Sequence, residues 1–207
     1  MSANLSSGLG KGVGNGGGKG VGGGLASAGL PLAAAPKVGL WVFMGVIAAL
    51  FGLFSVAFLM RMAMSDWRAL PIVPWQLWLS TALLTAGSLA WEAARRGKRF
   101  AFALAYASSL LFIGVQLWAW QAMTALNFAV DGNPANSFFY LITGLHGLHV
   151  IGGLVAATIV GARGGAGMAL CARYWHFLLA LWLAMFGLLF SVTPELVQLV
   201  CNTLLPT

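Results

Sequence analysis

Five long apolar stretches, at about 38–61, 71–93, 100–124, 137–161 and 174–201, follow one another along this chain. Each exceeds the roughly 20 residues that a helix needs to cross a 30 Å hydrocarbon core. The breaks between them hold charges or turn formers: Arg61 to Pro74, Arg95 to Arg99, Asn127 to Asn136 and Arg163 to Arg173. The pattern predicts an all-α, polytopic membrane protein, a bundle of five transmembrane helices within residues 37–207. Residues 1–36 read differently. Glycines such as Gly16, Gly17, Gly18 and Gly22 dominate there, with Lys11 and Lys19 interspersed. Glycine offers no side chain to bury and loses the most entropy on ordering, so a disordered cytoplasmic tail is expected. No apolar core follows its basic residues, as a signal peptide would require.

Composition agrees with lipid as the solvent. Hydrophobic residues make up 60% of the chain and charged residues 7%, whereas a soluble domain carries about a quarter charged. The formal charge of +7 does not point to nucleic acid, because the basic residues lie at the ends of apolar runs, where headgroups meet them. With the N-terminus cytoplasmic, nine basic residues share that side: Lys11, Lys19, Lys37, Arg95, Arg96, Lys98, Arg99, Arg163 and Arg173. Arg61 and Arg68 fall opposite, together with Asp66 and Asp131. This bias places the N-terminus inside. Cys171 and Cys201 flank the last run, roughly 45 Å apart along a helix, too far to pair with each other.

Polar groups inside the membrane are the candidate chemistry. Thr81, Thr85, Ser88 and Glu92 fall on one face of the second run. Two readings stay open for them. One is helix–helix glue, with Glu92 paired to Arg95 or Arg96; the other is a carboxylate that handles protons or contacts lipid. In the fourth run His146 and His149 are neighbours on one face, about 12 and 16 Å below the outer boundary. No Cys, Asp or Glu lies at that depth to complete a metal site. His176, at the start of the fifth run, is expected roughly 12–15 Å from His149 along the membrane normal, too far to share a haem iron. A hydrogen-bonded His146–His149 pair is therefore expected, with no catalytic, metal or cofactor-binding residue in this chain. Gly153, Ala157 and Gly161 repeat every four positions and permit close helix approach. No phosphate-binding loop, CxxC or activated nucleophile appears.

Three stretches carry a resemblance. Lys37-Val-Gly-Leu-Trp41-Val-Phe43 opens the first helix. Asn133-Pro134 leads through Thr143-Gly144-Leu-His146-Gly147-Leu-His149 to Gly152-Gly153 in the fourth. Tyr174-Trp175-His176-Phe177, with Trp182 and Phe186, opens the fifth. In order and spacing, over about residues 37–200, these resemble subunit III of the haem–copper terminal oxidases. The likeness is to a five-helix form, without the two additional N-terminal helices of longer members. It implies a non-catalytic accessory subunit of a bacterial proton-pumping oxidase, an enzyme only as part of its complex. Haem and copper would sit in the partner catalytic subunit I, with other oxidase subunits, structural phospholipid and membrane lipid as further partners and no nucleic acid. The plasma membrane of a bacterium is the implied location. Carried over by residue, His146, His149, Tyr174, Trp175 and His176 fall on the family's motifs. Many members carry a glutamate where this chain has Ile47 and an aspartate where it has Leu179, so no role of those acids transfers.

The basic cluster suggests one further role. Glu92, Arg95, Arg96 and Arg173 are candidate lipid-contacting residues, with His176 at similar depth. Two other functions stay in view: an accessory protein of a nitric oxide reductase system, and a bis-histidine haem b electron carrier. A small transporter is disfavoured by the scarcity of intramembrane charge.

Overall fold

A computed structural model describes residues 35–62, 64, 67, 74–128 and 133–191. The tail up to residue 34, Asp66, Arg68, Asp131, and the end of the fifth apolar run with Cys201 lie outside the described residues. Five helices run in order: α1 (Ala35–Met62), α2 (Trp75–Arg95), α3 (Arg99–Ala125), α4 (Pro134–Ala162) and α5 (Met168–Ser191). No strand occurs among the described residues. The chain is an all-α polytopic membrane protein, as the apolar pattern predicts.

The helices are not equivalent, however. α1, α3, α4 and α5 are long and apolar enough to cross a membrane by themselves, and α2 is not. Its 21 residues include Gln76, Ser80, Thr81, Thr85, Ser88 and Glu92. Two devices keep these groups satisfied. The Ser80 and Thr81 hydroxyls donate back to the Leu77 carbonyl at 2.9 and 2.8 Å, and Thr85 donates to Thr81 at 2.8 Å. Packing against α3 and α5 buries one side of the helix, Gln76, Ser80 and Ser88 included.

α2 lies on α3 and α5, and α4 also lies on α3 and α5, so these four helices close into a ring. α1 stands outside it, against α4 and α5. The sequence of α1 fits that position. Met44, Ile47, Phe51 and Phe58 are buried at spacings of three, four and seven, while Trp41, Val42, Val46 and Leu53 are exposed and apolar, a surface suited to lipid.

α5 begins six residues earlier than the apolar run at 174 predicts. Gly164, Gly165 and Gly167 all adopt positive φ, at 74°, 84° and 105°, and turn the chain within a five-residue link, Arg163 to Gly167. The sequence Met168-Ala-Leu-Cys-Ala then continues as helix, and the exposed Arg173 does not interrupt it. Cys171 consequently lies in the helix and not in the link, and it is buried.

The small-residue stripe on α4 seats aromatic rings. A Cβ placed on Gly153 would stand 2.8 Å from Cε1 of Tyr174 on α5, and one on Gly161 would stand 3.0 Å from Cζ of Phe102 on α3. Ala157 between them is fully buried. Close approach here thus serves side chains from two neighbours. Gly153→Leu should destabilise the bundle by about 1–3 kcal/mol, the range for overpacking a tight contact. Gly152→Leu, whose added Cβ meets nothing within 4 Å, should leave stability unchanged. Thermal unfolding of both variants in one detergent checks the contrast.

Candidate functional site

The motif residues of α4 and α5 meet at one helix–helix contact. The Tyr174 hydroxyl donates to the backbone carbonyl of His149 at 3.1 Å, and the Tyr174 ring covers Gly153. Trp175, beside it, stacks on Trp91 of α2 with centroids 5.3 Å apart and planes 8° from parallel. The Y-W-H-F element therefore clamps α4 with its tyrosine and α2 with its tryptophan and histidine. Two tryptophan–threonine relays add to this. Trp182 Nε1 donates to Thr81 Oγ1 at 2.8 Å, and Trp120 Nε1 donates to Thr143 Oγ1 at 3.1 Å. Each threonine passes its own proton to a carbonyl four residues back, Leu77 and Phe139. Each hydroxyl thus both donates and accepts, which suits a medium without water.

The two α4 histidines do not bond to each other, against expectation. His149 Nδ1 donates to the Leu145 carbonyl of its own helix at 2.8 Å. His146 is fully buried, and neither ring nitrogen has a partner. Aromatic rings surround it instead: Trp182 at 5.2 Å, Phe112 at 5.7 Å and Phe51 at 6.5 Å between centroids. The cause is helical geometry. Residues three apart share a face, but the nearest acceptor for His149 is a carbonyl one turn back, and His146 points into the centre of the ring of helices. Gln116 on α3, which the sequence reading did not single out, is likewise buried with both amide atoms unpartnered. An isolated glutamine in an apolar run is the signal that could have marked it.

His176 is also placed differently from expectation. Because α5 starts at Met168, His176 lies about 12 Å along the helix instead of at its mouth. Tyr174 already reaches the His149 carbonyl, so a large difference in depth no longer separates His149 from His176. Direction separates them. His176 Nδ1 lies 2.5 Å from Ser88 Oγ, and its Nε2 lies 3.8 Å from Glu92 Oε2, both on α2. The Glu92 carboxylate is further held by Arg95 Nε at 2.8 Å and by Arg95 Nη2, with Arg96 Nη2 at 3.2 Å. Arg173, three residues before His176, falls on the same side of α5, one turn nearer the end. The polar face of α2 thus joins α5 at Thr81, Ser88 and Glu92, while Thr85 is exposed.

Among the described residues, no three His, Cys, Asp or Glu side chains gather to hold a metal. Ile47 is buried among apolar neighbours, so that position offers no proton-binding group. Replacing His146 with leucine removes two unpaired buried nitrogens. Stability should stay unchanged or rise by about 1–2 kcal/mol, read as the thermal midpoint of the purified variant; a large fall would mean the ring nitrogens are engaged.

No protein-family model matches the chain. Curated relatives do. A probable cytochrome c oxidase subunit 3 from Nocardia farcinica is 29% identical over 164 residues, covering 68% of this chain and 79% of that protein. The probable cytochrome c oxidase subunit 3 of Mycobacterium tuberculosis H37Rv is 29% identical over 113 residues, 48% of this chain and 56% of its own. A cytochrome c oxidase subunit 3 from Thermostichus vulcanus is 31% identical over 108 residues, 47% and 52% of the two chains. The match spans little more than half the length of the mycobacterial relatives. With these matches beside a helical bundle joined through the T-G-x-H-G-x-H and Y-W-H-F elements, the chain is similar to cytochrome c oxidase subunit 3 proteins at 29–31% identity.

Proposed function

We propose that this chain is the non-catalytic subunit III of a bacterial proton-pumping haem–copper oxidase, a cytochrome c oxidase of aerobic respiration. It packs against the catalytic subunit, which holds the haems and copper, and lies in the plasma membrane with its N-terminus cytoplasmic. The observation that carries this reading is the meeting of the two motifs at Tyr174 and His149. Tyr174, Trp175 and His176 are spent on joining helices, which suits a subunit that shapes a partner rather than performing chemistry. The large exposed apolar faces of α1 and α3, among them Trp41, Val46, Leu110 and Leu117, offer surface for lipid or for that partner.

A lipid-facing role belongs to the charged end of α2 and α5. Glu92 neutralises Arg95 most directly, while Arg96 and Arg173 stand exposed, the arrangement that anionic headgroups would meet. Held there, a phospholipid would support proton uptake and turnover stability at the boundary with the catalytic subunit.

Mild-detergent purification through a tag on this chain should bring down a partner containing both haem and copper. A haem-containing partner without copper would instead favour the nitric oxide reductase reading, which the missing acids at Ile47 and Leu179 keep in view. The isolated chain should show no α-band in a reduced-minus-oxidised spectrum; a band would revive the haem b carrier. Changing Arg95, Arg96 and Arg173 together to glutamine should lower the phospholipid retained per complex. Unchanged lipid content by mass spectrometry would remove the headgroup role.

A further inference from the structure

A cleft of about 990 Å³ lies between α1 and the α4–α5 pair. Its volume is at the upper end of the range for small-molecule sites. Its walls are almost wholly apolar. Phe43 and Tyr174 line it and lie near-parallel, with centroids 6.0 Å apart and planes at 28°, and Gly39 and Gly152 leave the opposing helix surfaces flat. His149 also lines it. The chemistry of that histidine decides what the cleft can take.

A carbonyl oxygen only accepts, so the 2.8 Å contact from His149 Nδ1 to the Leu145 carbonyl fixes the proton on Nδ1. In the neutral ring the other nitrogen, Nε2, is then an acceptor, and it lies on the ring edge turned away from the helix's own backbone. Tyr174 has already donated its hydroxyl proton to the His149 carbonyl, so its oxygen also has only lone pairs to offer. The nitrogen and oxygen that these two side chains present are therefore both acceptors. They favour an occupant that brings its own hydrogen-bond donor and no negative charge.

Depth narrows the occupant further. His149 is one residue from the midpoint of α4 (Pro134–Ala162), about 20 Å from either end of that helix. A phospholipid headgroup stays at the boundary, roughly 15 Å from the centre of a 30 Å hydrocarbon core. A flat polycyclic alcohol likewise keeps its hydroxyl at the interface. An uncharged hydroquinone ring on an isoprenoid tail can place its hydroxyl at mid-depth and lay its planar face against Phe43 and Tyr174.

We infer that this cleft binds the reduced form of an isoprenoid quinone, with a ring hydroxyl donating to His149 Nε2. This goes beyond an accessory-subunit role. The oxidised ring carries only carbonyl acceptors, so it faces His149 lone pair to lone pair and loses the bond. The site selects quinol over quinone.

The test uses the intact complex in phosphatidylcholine nanodiscs. The probe is a decyl hydroquinone with a diazirine on its tail, kept reduced, alongside its oxidised counterpart. Peptide mass spectrometry of this chain reads the labelling. The hydroquinone should label peptides containing Phe43, Gly152 or Tyr174 at a concentration at least about tenfold lower than the quinone. His149→Phe should bring the two forms level. Gly152→Leu, which projects into the cleft without meeting other atoms, should abolish labelling by both, and it serves if His149→Phe does not assemble. Equal labelling by the two forms in the unaltered protein overturns the inference, as does a preference that survives His149→Phe. A diazirine-tailed phosphatidylglycerol that labels the cleft and blocks the hydroquinone would assign it to acyl chains and equally overturn it.

Discussion

Hydrogen bonds that reach across from α5 hold the rest of this bundle in place. Lipid has no hydrogen bonds to lend, so a polar side chain within the membrane is satisfied only by a partner within the protein. α5 supplies three such partnerships to two helices: Tyr174 to the His149 carbonyl on α4, Trp182 to Thr81 on α2, and His176 to Ser88 on α2. α1 then packs on the surface that α4 and α5 form together. The aromatic bodies of Tyr174, Trp175 and Trp182 add dispersion to each of these contacts. Polarity in α2 is tolerable for the same reason, since a helix too polar to cross alone has neighbours on both sides.

The same economy explains which side chains are chemically quiet. His146 stands among Trp182, Phe112 and Phe51 with no hydrogen-bond partner, so it acts as one more ring in the core. Glu92 is the acid that the structure places near the bundle's end, and it is committed to Arg95, Arg96 and His176. Ile47 and Leu179 are apolar and packed in or against the core, so among the described residues no carboxylate stands free inside the membrane to store a proton. His149 differs from these. Its own helix takes one nitrogen and leaves the other edge as an acceptor beside the apolar cleft that it lines.

Much of the fold is legible in the sequence. Apolar run length predicts five helices because a fixed hydrocarbon thickness demands about 20 residues. The four-residue repeat from Gly153 to Gly161 predicts close approach, and the face shared by Thr81, Ser88 and Glu92 predicts a polar seam, because helical periodicity is local. Where reading by run length falls short is at α5. Hydropathy sees Arg173 as a boundary, yet an arginine can extend to the headgroups while its backbone stays helical. That shifts His176 by six residues, about one and two-thirds turns, along its helix and overturns the depth argument that kept it apart from His149.

By itself, the sequence determined the solvent of this protein, its helices and the motifs that tie it to an oxidase subunit family. These depend on composition and on spacings within one helix, which the chain carries locally. Only the tertiary structure decided that His146 has no partner, that His149 turns to its own backbone, and that Ser88 meets His176. Those outcomes depend on where each helix starts and how it is rotated against its neighbours. Such quantities arise from the packing of all five helices at once, and no spacing along a single helix encodes them.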